Sequence, residues 1–238
     1  NVLEKLKRID YMGTALLLAA IGTLITAIQQ GGVAWSWSSG SSIALFVLSP
    51  LLFMAFVFWE MTFASNPMLP MDLFMNRNIV ALAAVGFLLG WIYDSGIAYI
   101  STFLQIQFNE NAKTAAVQGM SRLVGSFTVS IISGILIVMT GYFSPYMVLG
   151  PLLFTIGSIM TAFLAKDAST ALIIFSLFFF GAGAGCLNHN RIVGMQASVP
   201  FSLLPIVTSL GYTAQLLGSA VGTSISGAIF NGVLANNV

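Results

Sequence analysis

Seven long runs of apolar residues, separated by short polar segments, dominate the chain. A bilayer core of about 30 Å needs about 20 apolar residues in one helix. The apolar residues are continuous within each run rather than alternating, and backbone amides inside lipid must be bonded within the chain. The pattern therefore predicts transmembrane α-helices. They are expected at Tyr11–Gln30, Ser42–Trp59, Ile79–Ile106, Thr114–Thr140, Pro145–Ala165, Ala171–Leu187 and Leu203–Leu234. The third, fourth and seventh exceed one span and should tilt, kink or leave the bilayer.

The polar breaks predict where the chain leaves the membrane. Gly31 and Gly32 open a loop rich in Ser and Trp, and prolines in Glu60–Arg77, the longest break, disfavour a helix at its start. Tight connections are expected at Asn109–Lys113, Gly141–Pro145 and Lys166–Thr170. Two interpretations stay open for Asn188–Pro200, a loop or the continuation of the sixth helix.

Composition supports a membrane environment. Hydrophobic residues make up 58% of the chain and charged residues 6%, with a mean hydropathy of +0.96. Soluble domains carry roughly 25% charged residues, so lipid must cover most of this surface. The net charge of +1 provides no basic footprint for nucleic acid, and the single cysteine, Cys186, cannot form an internal disulfide. The expected fold class is an all-α, polytopic transmembrane bundle.

Basic residues near the ends of the runs predict the orientation. Cytoplasmic loops carry an excess of Lys and Arg, and Lys5, Lys7 and Arg8 precede the first run. This places the N-terminus in the cytoplasm. Alternation then puts Arg77 and Arg191 on the cytoplasmic side and Lys113 and Lys166 outside. The charged start, Asn1–Asp10, has no signal-peptide core, and we interpret it as a linker from an upstream part of a longer protein.

Asp94 is the first candidate for chemistry, because it lies inside the third run. A carboxylate at mid-membrane costs ~2.5–3.5 kcal/mol or more to insert, and such residues usually line a pathway or pair with a partner. Asp94 is therefore a candidate to carry a proton or contact a substrate. The alternatives are a hydrogen-bonded structural role and a position near the interface.

Arg122 and His189 are the other ionisable candidates. Arg122, about two turns into the fourth run, either extends to the outer headgroups or pairs with Asp94 or an anionic substrate. His189 is the only histidine; an imidazole can exchange a proton near neutral pH, but a lone histidine at a helix end is more often a loop residue. With only Cys186 nearby, no metal site is expected.

Glycines in the last two runs suggest close helix packing. Gly181-Ala182-Gly183-Ala184-Gly185 lacks the preceding strand and the following Lys-Ser/Thr of a phosphate-binding loop. Small residues at positions i and i+4 let transmembrane helices approach closely. The same role is expected for Gly211, Gly218, Gly222 and Gly227, while Thr213, Gln215 and Ser219 in that run have the polarity to face a cavity.

Several stretches resemble the fourteen-helix drug:proton antiporters of the major facilitator superfamily, especially the fungal branch. The segments that carry the resemblance are Gln29–Ser39, Trp59–Glu60 with Pro67–Phe74, Tyr99–Gln105, Ile132–Pro145, Gly181–Gln196 and Ser209–Asn231. Within Ile132–Pro145, Gly134, Leu136 and Gly141 match the Gly-x-Leu-x-Asp-x-x-Gly loop motif of the superfamily. Val138 replaces its Asp, and the basic residues after Gly141 are missing.

The resemblance implies alternating access, with two helical bundles rocking about a midplane site. Residues 1–10 would be a cytoplasmic linker, 11–60 two central transmembrane helices, 61–77 a cytoplasmic connection, and 78–238 five helices of the C-terminal bundle. The N-terminal bundle and the final helix would lie outside this chain.

The implied activity is proton-coupled antiport of a small molecule such as a drug, a basic amino acid or a siderophore, in the plasma or vacuolar membrane. Protons, lipid and that substrate are the expected partners, and no cofactor is implied. Asp94 is the first candidate for the proton carrier, with Trp91, Tyr93 and Tyr99 lining the cavity and Gln215 opposite.

Two other classes of protein stay open. One is a non-transporting relative of the same fold with a structural or regulatory role, which the substitution at Val138 favours slightly. The other is a membrane-embedded enzyme, which would need a cluster of histidines or carboxylates. Since the sequence offers no such cluster, an enzyme is not expected.

Overall fold

The computed structural model describes residues 10–31, 35–63, 71–165 and 168–237, excluding the side chains of residues 71, 72 and 231–237. Seven helices in this part of the chain are long and apolar enough to cross a membrane. They are α1 Tyr11–Gln30, α2 Gly40–Thr62, α3 Arg77–Phe108, α4 Ala112–Thr140, α5 Ser144–Ala162, α6 Thr170–Gln196 and α7 Leu204–Asn237. Short 3₁₀ turns, Met71–Met75 and Phe201–Leu203, precede α3 and α7.

The seven predicted helices are confirmed, and most of their ends differ by a few residues from the prediction. The largest difference is at α6, which continues to Gln196 rather than ending at Leu187. Most of the segment for which two interpretations stayed open is therefore helix. Expectations about residues 1–9, 32–34, 64–70, 166–167 and 238 concern positions outside the described residues.

The described helices fall into two compact units, residues 1–80 with 220–238 and residues 81–219. In the first unit, α1 packs on α2 along residues spaced by seven. The buried positions are Gly13, Ala20 and Ala27 on α1 and Ser42, Ser49 and Phe56 on α2. A seven-residue repeat is typical of helices that cross at about 20°. The Ser49 hydroxyl donates a hydrogen bond of 2.9 Å to the Ala20 carbonyl across this seam.

In the second unit, α6 is the central helix and packs against α4 and α5. Its middle section, residues 181–187, is entirely buried. A Cβ atom built on Gly181 would lie 1.9 Å from the Arg122 carbonyl oxygen, and one on Gly183 would lie 2.3 Å from the Phe154 nitrogen. The helices therefore meet backbone to backbone, and the predicted packing role of this glycine run is confirmed.

A π-helical turn, Gly90–Asp94, interrupts α3. Before it, α3 lies close to α7, since a Cβ on Gly90 would lie 2.0 Å from the Gln215 carbonyl oxygen and one on Gly218 would lie 1.9 Å from the Phe87 carbonyl oxygen. After it, Ser95–Phe108 packs against α4. A π turn adds a residue to the helix and often occurs at functional positions. Because of the added residue, side chains that follow Asp94 in α3 point to a different face of the helix from those expected of a regular α-helix.

Candidate functional site

Asp94 lies at the end of the π turn, half-buried within the second unit. Ser219 of α7 hydrogen-bonds its side chain, and the charge of Arg122 acts on it from α4. Three helices thus contribute to the surroundings of this carboxyl. Asp94 thus lies inside a predicted span with one neutral and one cationic neighbour.

Arg122 lies beside Asp94 and faces the protein interior. Its side chain is 7% exposed, and its guanidinium lies 5.5 Å from the centre of the Tyr93 ring. Tyr93 is itself stacked on Phe180 of α6 at 6.0 Å. The Nε and Nη1 atoms of Arg122 have no hydrogen-bond partner among the described residues, and the charge of Asp94 acts on the guanidinium without a direct bond between the two side chains being present. The burial of Arg122 disagrees with extension to the headgroups.

Arg191, which the sequence analysis places on the cytoplasmic side, lies within the last part of α6 with 0% of its side chain exposed. Its Nη1 donates to the Gly211 carbonyl at 2.9 Å, and its Nη2 donates to Asn188 at 3.4 Å and to the side-chain oxygen of Gln215. The ring of Tyr212 lies 5.8 Å from the guanidinium carbon.

Two glycines make the space that Arg191 occupies. A Cβ atom on Gly86 of α3 would lie 2.6 Å from its Nη1, and one on Gly211 of α7 would lie 3.3 Å from the same atom. The guanidinium therefore fills a slot between two helix backbones. Among the described residues, its hydrogen-bond acceptors are the neutral oxygens of Gly211, Asn188 and Gln215, and the sequence has no Asp or Glu from Ala168 to Val238. A buried charge without a counter-ion costs several kcal/mol.

His189 lies in α6 rather than in a loop, which corrects the loop interpretation. It is exposed and lines two adjoining cavities. One, of about 180 Å³, is also lined by Ser126, Phe127, Ser130, Gly185, Asn188 and Tyr212. The other, of about 500 Å³, is an apolar groove along α4 lined by Ser130, Ile131, Gly134, Ile135, Val138 and Met139. Among the described residues, no three His, Cys, Asp or Glu side chains lie close enough to hold a metal ion.

The other predicted site residues are distributed around this centre. Gln215 contacts Arg191 rather than Asp94. Trp91 packs edge-on against Phe87, with ring centres 6.3 Å apart, and Tyr99 is half-buried one and a half turns after Asp94. Of the three aromatic candidates, Tyr93 is the one whose ring contacts Arg122.

The loop motif lies at the end of α4. Leu136 is exposed, and a Cβ on Gly134 would meet no atom within 4 Å. Gly141 has φ +74° and ends α4 in the left-handed conformation that glycine adopts most easily. Gly134 and Leu136 thus face open space on the described surface, and Gly141 caps the end of α4.

The fold and buried charges define this protein as a polytopic, α-helical integral membrane protein. No family model matches the sequence. The chain is 28% identical over 99% of its length to the efflux pump aflT of Aspergillus parasiticus, covering 46% of that protein. It is 30% identical over 98% of its length to the efflux pump roqT of Penicillium rubens, covering 43%, and 29% identical over all of its length to citrate exporter 1 of Yarrowia lipolytica, covering 35%.

The chain spans less than half the length of these curated relatives. The matched regions are their C-terminal portions, and other relatives are described as MFS-type transporters. Over nearly its whole length the chain is therefore similar to the C-terminal portions of fungal efflux pumps and MFS-type transporters.

Proposed function

We propose that this chain is the C-terminal portion of a proton-coupled antiporter that moves a small molecule across a membrane by alternating access. Asp94 is the proton carrier. The observation that carries the proposal is the position of this carboxyl within a span, between the Ser219 hydroxyl and the Arg122 guanidinium. A group held by one neutral and one charged partner can exchange a proton with little rearrangement of its surroundings.

The relatives support export as the direction of transport. Two of them are named efflux pumps and one a citrate exporter. The small residues of α6 also let its neighbours pack closely against it, which is compatible with a bundle that moves as a unit during alternating access. We propose a plasma or vacuolar membrane location, with the start of the chain in the cytoplasm.

The test is Asp94→Asn in the intact protein reconstituted in liposomes. Substrate movement driven by a pH gradient should be lost, while the protein should be expressed and inserted at the wild-type level. The matched control is Glu110→Gln, which neutralises an acid in the connection between α3 and α4. Unchanged proton coupling in Asp94→Asn would exclude this carboxyl as the carrier.

The alternative is a non-transporting member of the same family. It is favoured by Val138, which stands where the loop motif has an Asp and is exposed at the end of α4. The same liposomes distinguish the two functions, because a structural or regulatory protein would move no substrate under any gradient, with or without Asp94.

A further inference from the structure

Arg191 is a buried cation whose hydrogen-bond partners in the described part of the chain include no anion. Its hydrogen-bond acceptors are the Gly211 carbonyl and the amide oxygens of Asn188 and Gln215, and its Nε atom has no partner among the described residues. The other buried arginine described in this unit, Arg122, has no hydrogen-bond partner for its Nε and Nη1 atoms, but the negative charge of Asp94 acts on it. The second unit therefore holds one more buried positive charge than Asp94 can neutralise.

The site around Arg191 is built to hold a guanidinium in one place. Gly86 and Gly211 leave the slot that it fills, and a Cβ at Gly86 would collide with Nη1. Asn188 and Gln215 fix the fork by accepting from Nη2. Nε has no partner in the described part of the chain, and the Asn188 bond to Nη2 is long at 3.4 Å. If an anion displaces Asn188, Nε and Nη2 are both available to the two oxygens of a carboxylate.

A polar cavity adjoins this guanidinium. Asn188 and Tyr212 contact Arg191 and also line the cavity of about 180 Å³ that His189, Ser126 and Ser130 share. A molecule in that cavity is therefore separated from the guanidinium by the side chains of Asn188 and Tyr212. Arg191 itself does not line the cavity, so contact between such a molecule and the guanidinium requires these two side chains to move.

We infer that Arg191 is the binding site for the anionic group of the transported molecule, so that the substrate class is organic carboxylates rather than organic cations. This inference rests on the proposed transport function and names the substrate class of the same unit. A carboxylate supplies the missing counter-ion for Arg191, and Asn188 and Tyr212 act as the movable side chains between cavity and site.

The test uses three aromatic probes of similar shape that differ in charge, namely benzoate, benzyl alcohol and benzylamine. Binding to the intact, detergent-solubilised protein is measured by ligand-observed NMR with no ion gradient. We expect saturable benzoate binding and at least tenfold weaker binding of the other two probes. Arg191→Gln should reduce benzoate binding at least tenfold, and Arg191→Lys, which keeps the charge but loses the fork, should give an intermediate affinity.

Two controls make the result specific. Arg77→Gln makes the same change at an exposed arginine at the start of α3 and should leave benzoate binding unaltered. Arg122→Gln tests the other buried arginine. Equal binding of all three probes, or loss of benzoate binding in Arg122→Gln but not in Arg191→Gln, would overturn the inference. Thermal unfolding of each variant checks that it is folded, and if Arg191→Gln is unfolded, the Arg191→Lys variant decides the outcome.

The binding test is independent of proton coupling. If benzoate binds through Arg191 but no gradient drives transport, the anion site stands and the proposed antiport fails. If a pH gradient drives transport through Asp94 while benzoate does not bind, the antiport stands and the carboxylate class is wrong.

Discussion

At the scale of residues, two buried arginines in one unit have different surroundings. Arg122 lies against the Tyr93 ring and is acted on by the charge of Asp94. Arg191 lies among neutral oxygens that orient it without neutralising it. Ionisable groups inside a membrane are costly and usually functional. The different surroundings suggest a division of roles, in which Arg122 regulates the proton site and Arg191 receives a ligand.

The pairing of Arg122 with Asp94 predicts energetic coupling. We expect Arg122→Gln and Asp94→Asn each to lower the free energy of unfolding, because each leaves the other group without its partner. The double variant should lose less than the sum, with a coupling of about 0.5–3 kcal/mol. Thermal or denaturant unfolding of the four proteins in detergent measures it.

A control cycle uses Lys113 in place of Arg122 as the partner of Asp94. Lys113 is an exposed cation earlier in α4. Nine residues at about 1.5 Å each separate the two along the helix axis. Lys113→Gln combined with Asp94→Asn should be additive. A coupling as large as that of Arg122 would mean that the pairing is a general effect of charge and not a contact.

The position of His189 predicts chemical access from water. His189→Cys should react with a small, charged methanethiosulfonate reagent, because the residue is exposed and lines the polar cavity. The native Cys186 is 0% exposed and should stay unreactive. Leu123→Cys, at an exposed α4 position that lines neither of the two cavities, is the matched control and should react much more slowly within lipid. Equal rates for both variants would mean that the cavity holds no water.

The candidate site could be predicted only in part from the sequence. Asp94 is visible because a carboxyl inside a long apolar run is conspicuous. Arg191 is not, because Asn188-His189-Asn190-Arg191 reads as a polar helix end when its neighbours are unknown. The Gly211 carbonyl and the Gln215 amide that accept from it lie on another helix. Tertiary partners of this kind cannot be read from one sequence.

At the scale of elements, glycines set the distances between helices. The run of buried small residues in α6 lets α4 and α5 approach its backbone. In lipid, where the hydrophobic effect does not drive helices together, this close packing is a main source of association. The length and position of the helices could be predicted from apolar runs, but the π turn of α3 and the full length of α6 could not, since both depend on contacts with neighbouring helices.

Replacement of glycine by alanine is expected to change the stability of the protein differently at two positions of α4. A Cβ on Gly125 would lie 2.2 Å from the Phe178 carbonyl oxygen of α6, whereas one on Gly134 would meet nothing within 4 Å. Gly125→Ala should therefore destabilise the protein by roughly 1–3 kcal/mol. Gly134→Ala should be neutral or stabilising by up to about 1 kcal/mol, because alanine favours helix. Thermal unfolding compares the two, and similar losses in both would contradict the observed packing of α4 on α6.

At the scale of the whole molecule, lipid is the solvent that the composition requires. Charged residues are 6% of the chain, and seven described helices have the length and hydropathy of membrane spans. The predicted direction of these spans depends on few charges, and one of them, Arg191, is buried within α6. The remaining basic residues on that side are Lys5, Lys7, Arg8 and Arg77.

The orientation is tested by labelling single cysteines in intact cells with a membrane-impermeant maleimide. With the N-terminus in the cytoplasm, Asn111→Cys, before α4, should be labelled from outside. Tyr142→Cys, before α5, and Ala197→Cys, after α6, should be labelled only after the cells are permeabilised. All three positions are exposed, and the buried Cys186 provides an unreactive background. The reverse pattern would show that the chain inserts in the opposite direction and that the orientation predicted from the basic residues is wrong.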